Sequence, residues 1–219
     1  MSSEEFVQRG YTIINDFLPP DLYQQLLIYL EMKSLWHRVF YFNGTKAQLP
    51  NSVKYKSKHD MLHRRAVQSC HRGEFSYSFE RTFMAQPFDA YEQIWRTLLT
   101  NGDFISRIHV ATGIDVSILE EAFFSRYSRG SFLSTHSDRN NGRVAFTLNL
   151  TGPDWRPEFG GALHFLTSDR KTIIHSFVPT GNQMILFHIP EGDGVPHLVS
   201  EVANAAQNRR RYAFTGWLR

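Results

Sequence analysis

His136 and Asp138 stand two residues apart in Ser134-Thr135-His136-Ser137-Asp138, just after the Gly-broken aromatic run from Arg126 to Leu133. In an extended chain, positions i and i+2 project to one face, so an imidazole and a carboxylate can be aimed at one point. Two ligands do not make a metal site, and a third must come from elsewhere. His197, in Val195-Pro196-His197-Leu198-Val199, is the best candidate, lying between strand-like runs at 183–187 and 212–217. Two histidines and one carboxylate suit Fe(II) held on one face, with the remaining positions open to cosubstrate and oxygen. The chain has ten histidines, so a bare H-x-D pair is weak until other features support it. His164, His175 and His188 also fall in strand-like segments and read as packed or surface residues. His59 and His63, four apart, lack a matching carboxylate or Cys cluster.

Several elements must position those three side chains. At 219 residues the chain suits a single domain, 1–219, able to bury a substantial core. Residues 1–118 read as helices and strands that support a sheet, and 119–219 as the catalytic core. A net charge of +3 gives no global basic field for nucleic acid. Cys70 is the only cysteine, which excludes an intramolecular disulfide and fits a reducing compartment. The polar, acidic opening Met1-Ser2-Ser3-Glu4-Glu5 lacks the pattern of a signal peptide. No apolar run approaches the roughly 20 residues of a membrane span. The expectation is a cytoplasmic protein without a membrane partner; nothing fixes an oligomeric state.

In the N-terminal half, residues 11–14 read as a strand. Pro19-Pro20-Asp21 opens a helix through about Lys33, with Leu22, Leu26, Leu27 and Leu30 as its apolar stripe. Val39-Phe40-Tyr41-Phe42 is a strand ended by the turn signal Asn43-Gly44. Residues 45–72 are the least regular stretch: Lys54, Lys56, Lys58, Arg64, Arg65 and Arg72 face Asp60 alone. This segment reads as a solvated surface loop, or functionally as a mobile basic lid. Residues 75–79 alternate aromatic with polar residues, as a half-buried strand does. A helix from Asp89 to about Thr100 places Ile94, Trp95 and Leu98 on one side, and a second short helix reaches Thr112-Gly113. Nothing in 73–118 is assigned chemistry.

Beyond residue 121 the pattern is one of successive strands, at 121–127, 132–136, 143–150, 161–166, 172–178, 183–189, 196–202 and 211–218. Turn residues separate them, among them Asn140-Asn141-Gly142, Gly152-Pro153-Asp154 and Glu191-Gly192-Asp193-Gly194. Eight short strands at this spacing predict a mostly β fold with flanking helices, a double-stranded β-helix or cupin-like jelly roll. That architecture can gather residues 136, 138 and 197 at the open end of a barrel.

The order of features resembles the 2-oxoglutarate- and Fe(II)-dependent dioxygenases, in their prolyl 4-hydroxylase-like branch. The motif Y-x-x-G-x-x-L-x-x-H-x-D is matched at Tyr127, Gly130, Leu133, His136 and Asp138. G-G-x-L-x-F is matched at Gly160, Gly161, Leu163 and Phe165, and G-N-x-x-x-L-F at Gly181, Asn182, Leu186 and Phe187. P-H-x-V falls at Pro196, His197 and Val199, and R-x-x-x-T/S-x-W at Arg211, Thr215 and Trp217. The resemblance covers about 121–219 well, 10–33 loosely and 36–118 hardly at all. The segments 197–202 and 215–217 look most like the ribosomal-protein prolyl hydroxylase group.

The resemblance implies Fe(II) on His136, Asp138 and His197, with 2-oxoglutarate as cosubstrate, O2, and ascorbate as a further candidate. It also implies that a basic residue on the last strand pairs with the 5-carboxylate of 2-oxoglutarate, where an Arg fork can make two hydrogen bonds. Strand alternation puts Arg211, Ala213, Thr215 and Trp217 on one face, which selects Arg211 over Arg210. Arg209 has the right phase but falls in a turn. Tyr127 is a candidate donor to the cosubstrate. Asn149 stands where relatives often have Tyr, so Thr147 or Asn149 is expected to hold the cosubstrate differently. Arg211 follows His197 by fourteen residues, a long gap that requires an extended turn.

The implied activity is hydroxylation of an unactivated C–H bond, first of a peptidyl prolyl residue and alternatively of a free amino acid or other small metabolite. Asp138 favours hydroxylation, because related halogenases lack that carboxylate. A nucleic-acid demethylase of this family carries a second Arg six residues after the first, where this chain has Trp217. A catalytically silent binding module has no reason to keep the triad together with Arg211. The segments 43–72 and 152–159 are the expected substrate-contacting loops.

Overall fold

The first helix, α1 (Ser3–Arg9), starts at a reciprocal cap: the Glu5 amide donates to Ser2 Oγ and the Ser2 amide to the Glu5 carboxylate. Strand β1 (Tyr11–Ile14) follows, then α2 (Pro20–Met32), which buries Leu26, Leu27 and Leu30. Strands β2 (His37–Phe42) and β3 (Thr45–Pro50) form a hairpin across Asn43-Gly44. Helix α3 (Lys56–His71), β4 (Tyr77–Arg81), α4 (Ala90–Leu99) and α5 (Gly102–Thr112) complete the N-terminal half. The computed structural model describes residues 2–83, 89–191 and 194–219. Gly192 and Asp193 of the expected turn at 191–194 lie outside the described residues.

The C-terminal alternation becomes β5 (Leu119–Tyr127), β6 (Phe132–His136), β7 (Val144–Asn149), β8 (Leu163–Leu166), β9 (Ile173–Phe177), β10 (Gln183–His188), β11 (His197–Val199) and β12 (Arg211–Leu218). Pairing is antiparallel along β1-β10-β7-β12-β5-β4-β6-β11-β8-β9, with β2 attached to β4 and β3 to β2. The sheet curls until side chains of its two end strands meet: Tyr11 Oη on β1 lies 3.3 Å from His175 Nδ1 on β9. This is the jelly roll expected from the strand spacing.

Three cores hold the curl. Between the sheet and helices α2, α4 and α5 lie Leu26, Leu30, Leu99, Ile108, Phe146 and Phe214. Inside the curl pack Phe79, Phe123, Tyr127, Phe165 and Phe187. A smaller core of Phe40, Phe42, Leu62, Ala66 and Phe132 joins α3 to β2 and β6. The shared G-N motif also has a structural reason. Asn182 donates to Leu18 O and accepts from Leu18 N, both at 2.8 Å, tying the entry of α2 to the sheet.

The structure corrects three expectations. Residues 45–72 are a strand and a sixteen-residue helix rather than an irregular loop. The buried stripe of α3 is His59, Leu62, Ala66 and Ser69, so half of its inward positions are polar and the helical period is masked. On α4, Ile94 and Leu98 are exposed, while Glu92, Trp95, Arg96 and Leu99 are buried. The polar residues turn inward because each finds partners. Arg96 reaches Glu92 Oε1, Thr82 Oγ1 and the Ala122 carbonyl, and Lys33 Nζ lies 3.0 Å from Glu92 Oε2. Finally, segment 73–118 is not without a role in the site, because β4 forms one wall of the main cavity.

Candidate active site

The register of one strand pair brings the two histidines together. His197, at the start of β11, is the cross-strand partner of His136 at the end of β6, and their ring centroids are 4.1 Å apart. Asp138 follows two residues on, with its oxygens 3.5 Å from His136 Nε2 and 3.5 Å from His197 Nε2. One ligand atom from each residue lies within 4.8 Å of the others, the only such group of three among the described residues. His59, His63, His164, His175 and His188 take no part in it.

Both imidazoles are aimed by backbone carbonyls. His136 Nδ1 is 3.0 Å from Ser134 O, and His197 Nδ1 is 3.0 Å from Val195 O. A carbonyl oxygen only accepts, so each Nδ1 carries the proton and each Nε2 lone pair faces the shared centre. Burial raises the Asp138 carboxyl, but His197 and His136 outweigh it and hold it at about 2. Burial, reinforced by His136, lowers His197 to about 4. With His197 and Asp138 held at these values, the triad offers two imidazole nitrogens and one carboxylate, a donor set that fits Fe(II).

The triad lines a cavity of about 610 Å³ that also contains Arg211, Tyr127, Thr147, Thr215 and Trp217. Arg211 is the cross-strand partner of Tyr127, with its guanidinium 4.8 Å from that ring's centre. It is 3% exposed, its Nε has no hydrogen-bond partner, and no carboxylate pairs with it among the described residues. Gly161 makes room for it: a Cβ there would sit 3.1 Å from Arg211 Cδ, and the backbone is left-handed at φ +69°. Arg209 instead pairs with Asp154 at 2.6 Å, and Arg210 donates to backbone carbonyls of Asn208 and Arg209. The long gap between His197 and Arg211 is taken up partly by a 3-10 turn at Asn204–Ala206.

Thr147 faces the cavity with its hydroxyl 3.5 Å from that of Thr215. Asn149 is buried one step further along β7, opposite Ala213, and does not line the cavity; its Oδ1 lacks a partner among the described residues. The opposite wall, which sequence reasoning missed, carries Tyr41, Phe75, Tyr77, Phe79 and Arg81. The alternation of 75–79 was visible as a strand, but nothing local told which face would meet the triad. No residue of α3 lines the cavity. The helix lies on the far side of β2, so the expected basic lid is a backing element.

The curled sheet, the His-Asp-His cluster and the buried arginine are arranged as the resemblance to 2-oxoglutarate- and Fe(II)-dependent dioxygenases implies. Residues 122–219 match the model of the 2OG-Fe(II) oxygenase superfamily, and the fold is that of prolyl 4-hydroxylases. A Pseudomonas putida prolyl-4-hydroxylase is similar over 99% of this chain and 96% of its own, at 18% identity and a TM-score of 0.61. A Trichoplax adhaerens prolyl hydroxylase, solved with a hypoxia inducible factor oxygen degradation domain peptide fragment, is similar over 100% and 87%, at 20% identity and a TM-score of 0.60. The viral collagen prolyl hydroxylase of Paramecium Bursaria Chlorella virus-1, in its 2OG complex, covers 97% of both chains at 15% identity and a TM-score of 0.52. No curated protein sequence matches the chain. Among the described residues, no helix is long and apolar enough to cross a membrane.

Proposed function

We propose that this protein hydroxylates a prolyl residue of a cytoplasmic polypeptide, with His136, Asp138 and His197 holding Fe(II) and Arg211 holding the 5-carboxylate of 2-oxoglutarate. The observation that carries this reading is the buried, unpaired guanidinium in the same cavity as the triad. An uncompensated buried charge is costly, and a bound carboxylate removes that cost while using the planar fork. The Tyr127 phenol and Thr147 hydroxyl are the neighbouring donors. Bound iron and 2-oxoglutarate supply the oxidising power, with succinate and carbon dioxide as coproducts. The protein's residues aim both Nε2 atoms, keep Asp138 ionised and surround the reacting centre with aromatic side chains that limit water.

A peptidyl substrate is supported by the shared fold of three prolyl hydroxylases, one of them solved with a peptide. The test incubates iron-loaded protein with 2-oxoglutarate and oxygen against a cell extract's proteins and, separately, its filtered metabolites. A mass gain of one oxygen on a prolyl residue is expected. A gain confined to a metabolite overturns the peptidyl reading.

A further inference from the structure

Phe75 is 39% exposed, yet it is held firmly from both sides. On one side Glu74 accepts a two-pronged pair from Arg72, at 2.9 Å each, and a bond from Ser69 Oγ at 2.5 Å. On the other, Ser76 N donates to Ser134 Oγ at 2.8 Å and Ser76 O accepts from Ser134 N at 3.0 Å. Ser134 is also the residue whose carbonyl orients His136. The five-residue link between α3 and β4 is thus fastened to the strand that carries the first metal ligand. Its aromatic ring sits 5.5 Å from the His136 ring.

Phe75 is not alone there. Its ring lies 5.0 Å from Tyr41 and 5.8 Å from Tyr77, and those two are stacked at 5.7 Å. All three line the cavity. An exposed phenylalanine gains little from folding, so two anchors that fix it beside a metal ligand point to contact with something that arrives from outside. The three rings offer π faces and two hydroxyl edges, which suit the C–H face of a neutral hydrocarbon ring; a cation is the competing occupant, because π faces also attract positive charge.

We propose that Phe75, with Tyr41 and Tyr77, is the surface on which the reacting residue rests its hydrocarbon face, making Phe75 a specificity-determining residue. This rests on the peptidyl reading above and adds the residues that select a neutral cyclic side chain. The probes are N-acetyl-L-prolinamide and N-acetyl-L-lysinamide, titrated without oxygen into protein loaded with Fe(II) and 2-oxoglutarate. Wild type is expected to bind the proline probe more tightly than the lysine probe. Phe75→Leu, which keeps apolar volume but loses the ring, is expected to weaken the proline probe about 3- to 10-fold, and Phe75→Tyr to restore it. In turnover the change falls on KM for a proline peptide rather than kcat. Melting temperature and 2-oxoglutarate affinity of each variant report distortion. If Phe75→Leu weakens 2-oxoglutarate as much as the proline probe, Phe75 is structural and the inference fails. Equal binding of the proline probe by wild type and Phe75→Leu also overturns it while leaving the prolyl reading intact. Wild type that prefers the lysine probe, or binds neither, overturns both.

Discussion

Arg211→Met separates binding from stability, because its two effects should have opposite sign. In wild type the guanidinium is buried opposite Tyr127 with an unpartnered Nε and no carboxylate among the described residues. Burying an uncompensated charge costs several kcal/mol, while a ring contact such as the 4.8 Å approach to Tyr127 returns about 2 kcal/mol. A methionine of similar reach keeps the packing and removes the charge, so ligand-free protein should gain about 1–3 kcal/mol. At roughly 2–4 °C per kcal/mol for a chain of this size, the melting temperature should rise by roughly 2–12 °C. The same change strands the 2-oxoglutarate carboxylate. Loss of a buried charged partner costs about 2–5 kcal/mol, so KM for 2-oxoglutarate should rise roughly 30- to 5000-fold. Thermal melts of metal- and ligand-free protein, with succinate release against 2-oxoglutarate concentration, read both effects. Arg210→Met, one residue before β12 with its guanidinium on the Asn208 and Arg209 carbonyls, should do neither. A variant that melts lower than wild type and keeps its KM would refute the argument, since Arg211 would then be a satisfied structural cation.

Three further outcomes follow from the same geometry. Asp138→Asn should abolish Fe(II) binding in a metal titration while leaving the melting temperature of metal-free protein within a few degrees; unaltered iron affinity would remove Asp138 from the ligand set. His197 is held at about 4 by burial and by His136, below its ordinary 6.5. The folded chain therefore binds fewer protons than the unfolded one between those values, and metal-free stability should fall as pH drops from about 6.5 to about 4. The difference between wild type and His197→Gln, measured by denaturant melts across that window, should shrink toward the acid end. In the buried ion cluster, Glu92→Gln takes the carboxylate from Arg96 and leaves Lys33 with Asp89, and should cost about 3–5 kcal/mol in urea unfolding; a loss under 1 kcal/mol would mean that solvent reaches the cluster.

The C-terminal half was legible because its information is local. Strand alternation is set by the two-residue period of the extended chain, so the phase that put Arg211 on the face of Thr215 and Trp217, and Tyr212 and Phe214 on the other, could be counted along β12. The spacing of His136 and Asp138 obeys the same geometry. What the sequence could not supply was the pairing of distant strands. Only the folded sheet sets His197 directly across from His136 and gives each imidazole a carbonyl that fixes its tautomer. Only the tertiary structure turned residues 56–71 into a helix, because its buried stripe includes His59 and Ser69, whose polarity hides the period until Phe40 and Phe132 pack against it. On α4 a similar competition was decided at a distance: Glu92 and Arg96 go inward since Lys33, Thr82 and Ala122 wait there as partners, and Ile94 and Leu98 are turned outward as a result. Alternation along 75–79 was visible, but it could not say that the face carrying Phe75 and Tyr77 would look at iron ligands sixty and more residues further along the chain. Local periodicity decides which residues share a face; long-range pairing decides what that face meets.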